Sequence, residues 1–302
     1  MQPDAGGLLL VHAHPDDECF STGGLIARSI AEGRRADLVT CTGGEEGEIH
    51  DPTLDPSDAQ PRLREIRARE LACSLDALRG DGLGTLELHL LGYRDSGMMG
   101  TESNHRPEAF WNADLDDATG KLVEIVRRTR PAVMVSYDEN GNYGHPDHIN
   151  AYRIATAAWE ASGDPSRFPD GGEPHSVTKL YQTVFSRDRW SELVEKMRER
   201  GLPVPWEDSE SDESSDEQEG EEREVGVPQD RITTSVDVLA WRAQKLASMD
   251  CHKTQRQDLG WLLDLPSDLA ELALSPEHFM LTGWRDREVP EGYRETSVWD
   301  GL

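Results

Sequence analysis

Leu8-Leu9-Leu10-Val11-His12-Ala13-His14-Pro15-Asp16-Asp17-Glu18 sets a short apolar run against a polar, acidic one. Four consecutive apolar residues without alternation fit a strand buried on both faces, as in a parallel sheet. The run stops at a cluster of imidazoles and carboxylates, which predicts a polar loop leaving the strand's carboxyl end. Apolar side chains at helical spacing then fill Gly23 to Glu32, and Gly33 ends the helix. The same succession returns twice. Leu38 to Thr42 leads into Gly43-Gly44-Glu45-Glu46-Gly47-Glu48 and a charged helix from about Pro61 to Leu78. Ala132 to Tyr137 leads into the polar loop Asp138–His145 and a helix from about Pro146 to Ala161.

Leu86 to Leu91 is a further candidate strand and Asp114 to Arg128 a further helix. Strands alternating with helices of this length predict an α/β fold with a Rossmann-like, mainly parallel sheet flanked by helices. Ligand sites in such sheets lie outside the carboxyl ends of the strands, where the polar loops fall. Beyond Ser162 the order is less regular, with candidate strands at Leu180–Phe185 and Ile232–Val236 and helices at Arg189–Arg200 and Val238–Met249. The expectation is a single domain over residues 1–302, with a catalytic core at about 6–165 and a C-terminal part at about 166–302. Within the latter, Glu207 to Glu222 is a run of Glu, Asp and Ser without Lys or Arg. It cannot bury enough surface to offset the cost of ordering its backbone, which predicts a disordered loop at 207–222.

The 302 residues carry a formal net charge of −28. Such a surface repels phosphate backbones and anionic headgroups, which argues against nucleic-acid or membrane partners. No apolar stretch approaches the ~18 residues of a spanning helix, and Met1-Gln2-Pro3-Asp4-Ala5 lacks the start of a signal peptide. A cytoplasmic protein is expected. Cys19, Cys41, Cys73 and Cys251 form no CxxC pair, and four free thiols in a reducing compartment are expected.

The chemistry concentrates in His14-Pro15-Asp16-Asp17 and His145-Pro146-Asp147-His148. Each is a His-Pro-Asp unit between a predicted strand and a predicted helix, with proline suited to the first helical position. Residues three apart share a helix face, pairing His14 with Asp17 and His145 with His148. If the two strands are neighbours, these groups converge on one pocket. Two imidazoles and a carboxylate suit a catalytic zinc (Zn2+) site with a position left for water, and Fe(II) accepts the same set. His14, Asp17 and His148 are the expected ligands. Asp16, adjacent to a ligand yet pointing elsewhere, is the expected base for the attacking water. His145, held by Asp147, is expected to stabilise an oxyanion or protonate a leaving amine. A lone histidine at a strand end is ordinarily a capping residue; two matching units are hard to assign to capping alone. A non-catalytic sugar-binding or metal-sensing protein would not require Asp16, Tyr143 and His145 together. A nucleotide-binding protein would be expected to carry Gly-x-Gly-x-x-Gly after the first strand, and this chain does not.

VHAHPDDE (Val11–Glu18), TGGEEGE (Thr42–Glu48) and YDENGNYGHPDH (Tyr137–His148) resemble the PIG-L/LmbE-like family of zinc-dependent N-acetylglucosamine deacetylases. The resemblance runs from Leu8 to the Trp-Asp-Gly-Leu end, and its two metal motifs are highly specific together. It implies a Rossmann-like sheet, zinc on His14, Asp17 and His148, and a base at Asp16. It also implies an electrostatic histidine at His145 and a mobile-loop tyrosine, Tyr143, that assists the oxyanion. By the same resemblance Glu46, Arg67, Asp95 and Met98 line the pocket for a small-molecule amino sugar, whose buried hydroxyls need polar partners. Arg67, on a helix crowded with Arg and Glu, equally suits surface ion pairs, and Met98 equally suits packing.

Within the family the chain is similar to the actinobacterial mycothiol-pathway branch. That implies hydrolysis of the acetamide of an N-acetylglucosaminyl-inositol, with amide cleavage of mycothiol S-conjugates as the alternative. RDSGMMGT (Arg94–Thr101), Ser21 and the chain's end favour the first; YDENG (Tyr137–Gly141) and GDPSRFPDGGEP (Gly163–Pro174) are similar to the second. Asn142 departs from the family by standing where a second glycine is common, although Asn tolerates positive φ. The acidic run Glu207–Glu222 is a second departure. His252-Lys253-Thr254-Gln255 is similar to a family His-x-Thr-Gln segment, with a supporting structural role expected.

Overall fold

The computed structural model of the protein describes residues 6–204 and 226–302. Strand β1 (Gly7–His12) is buried along its whole length. Leu8 and Leu10 face one core, Leu9 and Val11 the other, so the unalternating run is what a central strand covered on both sides requires. Each such side chain contributes about 1.5–3 kcal/mol by leaving water. The short helix α1 (Asp17–Ser21) and α2 (Gly23–Ala31) lead to β2 (Arg35–Thr42). α3 (Pro56–Ala59) and α4 (Leu63–Arg79) lead to β3 (Thr85–Tyr93), and α5 (Leu115–Thr129) to β4 (Pro131–Ser136). A single turn, α6 (Gly141–Gly144), precedes α7 (Pro146–Ala161) and β5 (Lys179–Val184). The remainder holds α8 (Arg187–Glu199), β6 (Thr234–Val236), α9 (Arg242–Cys251), α10 (Arg256–Leu263), α11 (Ser267–Leu274) and β7 (Glu277–Trp284).

The strands form one sheet in the order β3-β2-β1-β4-β5-β7-β6. β1 to β5 pair in parallel, while β7 runs antiparallel to both β5 and β6. The expected α/β, Rossmann-like sheet is what the chain forms. From β1 the chain winds outward through β2 and β3 on one side and returns to build β4 and β5 on the other. The crevice at the carboxyl ends of β1 and β4 is therefore the topological switch point. Leu25, Ile26 and Ile30 of α2 and Leu71, Leu75 and Leu78 of α4 cover one face. Leu122, Val123 and Val126 of α5 and Ala151, Ile154 and Ala155 of α7 cover the other.

Three features differ from the sequence expectations. β7 is an additional strand, inserted between β5 and β6, so that the C-terminal part extends the same sheet. The helix expected from Val238 opens as a 3-10 turn over Leu239–Trp241 and becomes α-helical only at Arg242. Of the four cysteines, Cys19 and Cys41 are free and buried, but Cys73 and Cys251 form a disulfide across 178 residues of sequence. The expectation of four free thiols is corrected: packing of α9 on α4 makes neighbours of residues whose spacing gives no sign of it. The acidic run 207–222 lies outside the described residues. No described helix is long and apolar enough to cross a membrane.

Candidate metal centre

The two His-Pro-Asp units fold differently. In the second, Pro146 takes the first helical position of α7 and His145 is the N-cap, its Nδ1 accepting from the Asp147 N–H at 3.1 Å. In the first, the His14 N–H donates to Asp17 Oδ2 at 2.7 Å, which closes a tight turn. Asp16 is forced to φ 120°, a region that costs a non-glycine residue energy and is kept where surrounding contacts over-determine it. Helix α1 opens at Asp17, so Pro15 is not at a first helical position and the expected symmetry of the two motifs is corrected.

Because β4 pairs with β1, the two loops meet. His14 Nδ1 lies 3.3 Å from His148 Nε2 and 3.5 Å from Asp17 Oδ2, and His148 Nε2 lies 3.4 Å from Asp17 Oδ1. Donors bound to one tetrahedral ion at ~2.0–2.1 Å are about 3.3–3.4 Å apart. The two imidazole nitrogens stand at that separation, and the Asp17 carboxylate reaches each of them with a different one of its oxygens. Burial pushes the His148 imidazole down to about 4, which keeps it in the neutral, ligating form. His145 brings a third imidazole close, since His14, His145 and His148 offer nitrogens all within 4.8 Å of one another. Its Nδ1 is occupied by the Asp147 amide. The proton of the neutral ring therefore sits on Nε2, and burial, with the neighbouring imidazoles, pushes its pKa down to about 2. His145 is a neutral hydrogen-bond donor.

The Asp147 carboxylate does not hold His145 as expected; only its backbone amide does. Its Oδ2 lies 3.2 Å from His14 Nε2 and accepts from the Ser96 N–H at 2.9 Å, and the Ser96 hydroxyl donates to Oδ1. Asp95 Oδ1 stands 3.5 Å from the same His14 nitrogen. N-cap geometry explains the difference, because it turns the amide of residue 147 toward His145 and leaves the side chain free. A carboxylate behind the far nitrogen of an imidazole is the usual support of a metal-ligating histidine.

Asp16 Oδ2 accepts from Arg67 Nη2 at 2.9 Å. Burial pushes its carboxyl up to about 7 against the opposing charge of Arg67. Arg67 is only 3% exposed and donates also to the carbonyls of Pro15, at 2.5 Å, and Gly44, at 2.9 Å. It ties α4 to the loops after β1 and β2 and is not a surface ion pair. Gly44 is required there: at φ +68° a Cβ would meet the guanidinium at 2.3 Å. Glu46 accepts from Arg94 at 2.7 Å and Arg106 at 2.5 Å, and its N–H donates to Asp95 Oδ2 at 3.2 Å. Met98 is half exposed beyond Asp95. Tyr143 is 61% exposed, yet its hydroxyl reaches to 3.5 Å from His148 Nε2. It sits on a turn with positive φ at Gly141, Asn142 and Gly144, so Asn142 does adopt the conformation expected of a glycine.

Other groups escaped notice in the sequence. Tyr137 stacks its ring on His148 with centroids 4.2 Å apart, and its hydroxyl accepts from the Ala13 N–H at 2.8 Å. A tyrosine closing an apolar strand run was the available signal, since a buried phenol needs a partner. Ser96 and Glu18 lie inside Arg94–Thr101 and Val11–Glu18, where nothing in the spacing marks what they face.

Residues 9–159 match the PIG-L family, described as GlcNAc-PI de-N-acetylase. The 1D-myo-inositol 2-acetamido-2-deoxy-alpha-D-glucopyranoside deacetylase of Thermomonospora curvata is 41% identical over 98% of this chain and 96% of its own length. Among solved structures, the N,N'-diacetylchitobiose deacetylase of Pyrococcus horikoshii aligns with a TM-score of 0.59 at 18% identity, over 92% of this chain and 84% of that one. The 4-carboxy-2-hydroxymuconate hydratase of Pseudomonas putida reaches the same TM-score at 16% identity, over 94% and 99% of the two chains. At such identity the shared shape speaks for the fold alone, since a hydratase shares it as fully as a deacetylase. The family match runs from β1 into α7 and spans every donor atom of the centre, and with a near full-length relative at 41% identity the chain belongs to the PIG-L family of GlcNAc-PI de-N-acetylases.

Proposed function

We propose that the protein is a metal-dependent N-deacetylase that hydrolyses the acetamide of an N-acetylglucosaminyl-inositol to the free amine and acetate, the step named for its relative from Thermomonospora curvata. The observation that carries this proposal is the triangle of His14 Nδ1, His148 Nε2 and the Asp17 carboxylate, with sides of 3.3–3.5 Å, beside a carboxyl raised to about 7 at Asp16. His14, Asp17 and His148 would hold the ion, and the donor set favours zinc, with Fe(II) as the other candidate. When bound, the ion supplies Lewis acidity that polarises the acyl oxygen and makes water more acidic.

The chain's own groups do the rest. Asp16 takes a proton from the water that attacks the acyl carbon and passes it to the departing nitrogen, a task suited to a pKa near the working pH. His145 Nε2–H donates to the oxygen that gains charge, acting as a fixed neutral donor. Tyr143 adds its hydroxyl from the exposed turn. Asp147 keeps His14 oriented. Glu46 and Asp95, with Arg94 and Arg106 on Glu46, offer acceptors and donors to sugar hydroxyls, while Arg67 holds Asp16. The test is acetate and amine release by zinc-loaded protein from N-acetylglucosaminyl-inositol and, in parallel, from a mycothiol S-conjugate. Acetate from the first substrate is expected. Turnover confined to the S-conjugate would replace the deacetylase with an amidase, and turnover of neither would remove the proposal.

A further inference from the structure

Two buried titratable groups outside the donor triangle meet next to Asp16. Glu18 and His252 are 0% and 1% exposed, and Glu18 Oε1 lies 2.7 Å from His252 Nε2. The same oxygen accepts from the Ser74 hydroxyl at 2.5 Å, while Glu18 Oε2 accepts from the backbone N–H of Asp16 at 2.9 Å. Together with Cys19 these groups could be taken for a second metal cluster. Both Glu18 oxygens are already engaged in hydrogen bonds, however, and the Cys19 thiol donates to the Asp16 carbonyl at 2.9 Å, so the carboxylate and the thiol both already have partners. The costly feature is a carboxylate–imidazole pair with no access to water, whose second carboxylate oxygen grips one amide, and that amide belongs to a residue at φ 120°. A satisfied buried polar pair of this kind can rigidify a local geometry that packing alone leaves open.

We propose that Glu18 and His252 are a positioning pair for Asp16. Glu18 holds the Asp16 backbone in its unfavourable conformation, and His252, brought in at the end of α9, fixes the Glu18 carboxylate. Asp16 is thereby held at both ends, by Glu18 at its amide and by Arg67 at its carboxylate. Releasing the amide lets residue 16 relax and turns its carboxylate away. The His14 N–H to Asp17 contact does not involve the pair, so the donor triangle stays. This inference rests on Asp16 being the base.

The experiment compares His252→Ala, His252→Gln, Glu18→Gln, Asp16→Asn and the double variant Asp16→Asn with His252→Ala, all as full-length, zinc-loaded protein. His252→Ala and Glu18→Gln should lower kcat about 10- to 100-fold, the usual effect of losing such outer support, with KM and zinc content unchanged. His252→Gln keeps an N–H donor to Glu18 and should recover most of the loss. The double variant should be no slower than Asp16→Asn alone. Additive losses in the double variant, a loss seen in zinc content or KM in place of kcat, or wild-type kcat in His252→Ala would each overturn the proposal. If His252→Ala fails to fold, Glu18→Gln and His252→Gln carry the comparison in both backgrounds. Slow Asp16→Asn with wild-type kcat in Glu18→Gln and His252→Ala sinks the pair alone. Unchanged turnover in Asp16→Asn sinks the assignment of the base and the pair with it.

Discussion

At the scale of single residues the centre depends on differences between chemically similar groups. Asp16 and Asp17 are adjacent carboxylates, but the turn at φ 120° sends one toward Arg67 and the other toward two imidazoles. Asp16→Asn keeps the volume, an acceptor for Arg67 and a residue tolerant of positive φ, and removes the carboxylate's charge together with its ability to take a proton. Turnover should fall by about 10²–10⁴ with zinc content unchanged; full activity would take Asp16 out of the mechanism. Tyr143→Phe removes a hydroxyl 3.5 Å from His148 Nε2 on a residue 61% exposed. It should leave the melting temperature in place and lower kcat by about 10², the cost of one lost donor to a developing oxyanion. A loss confined to KM would make Tyr143 a substrate contact. The convergence of His14, Asp17 and His148 was legible because few tasks need two imidazoles and a carboxylate at two strand ends. The tasks of Asp147 and Tyr137 were not, because spacing along a helix shows which side chains share a face and says nothing of what faces them across the pocket.

At the scale of elements, local pattern located the helices that follow the strands, and tertiary packing decided how they are completed. Helix α2 has no side-chain cap of its own. Its free N–H groups at Gly24 and Leu25 donate to Glu277 of β7 at 2.8 and 2.7 Å, with Lys245 of α9 at 2.6 Å from the same carboxylate. A cap supplied from 252 residues away leaves no trace near the helix it serves. The Cys73–Cys251 bond works at this scale too. Cys73 is exposed on α4, where a small dithiol can reach it. Its neighbour Ser74 and the neighbour of Cys251, His252, both bind Glu18. Reduction, which delivers two electrons and two protons from the dithiol, should cost roughly 2–5 kcal/mol of stability for a link closing so long a loop. It should lower kcat as well, because the two residues converging on Glu18 lose their tether. Thermal melts and turnover with and without dithiol measure both, and a Cys73→Ser, Cys251→Ser variant should be insensitive to the reagent. An unchanged melting temperature on full reduction would deny the bond its structural part.

For the molecule as a whole, the parallel strands β1 to β5 follow from recurring strand–loop–helix units, whereas the antiparallel edge was invisible because the order of β5, β7 and β6 depends on the chain's end. Lys179 on β5 is fully buried, 2.8 Å from Glu295 Oε2 and 2.6 Å from the Asp300 carbonyl. The Tyr181 hydroxyl and the Thr234 hydroxyl donate to Glu295 Oε1 at 2.5 and 2.9 Å. The last residues are thereby fastened to two strands on either side of β7, and Val298 and Trp299 pack into the core that contains Leu8 and Val133. Nothing about an isolated lysine near the start of a strand announces this. Removing one charge from such a pair leaves the other buried without compensation. Glu295→Gln should therefore destabilise the protein by about 3–5 kcal/mol in urea unfolding. Combining it with Lys179→Met should restore part of that loss, since no unpaired ammonium remains. Neither change touches the switch point at β1 and β4, so kcat per folded molecule should stay at the wild-type value. A Glu295→Gln protein as stable as the parent would mean that the end of the chain is held by apolar packing and that the ion pair contributes nothing to closing the sheet.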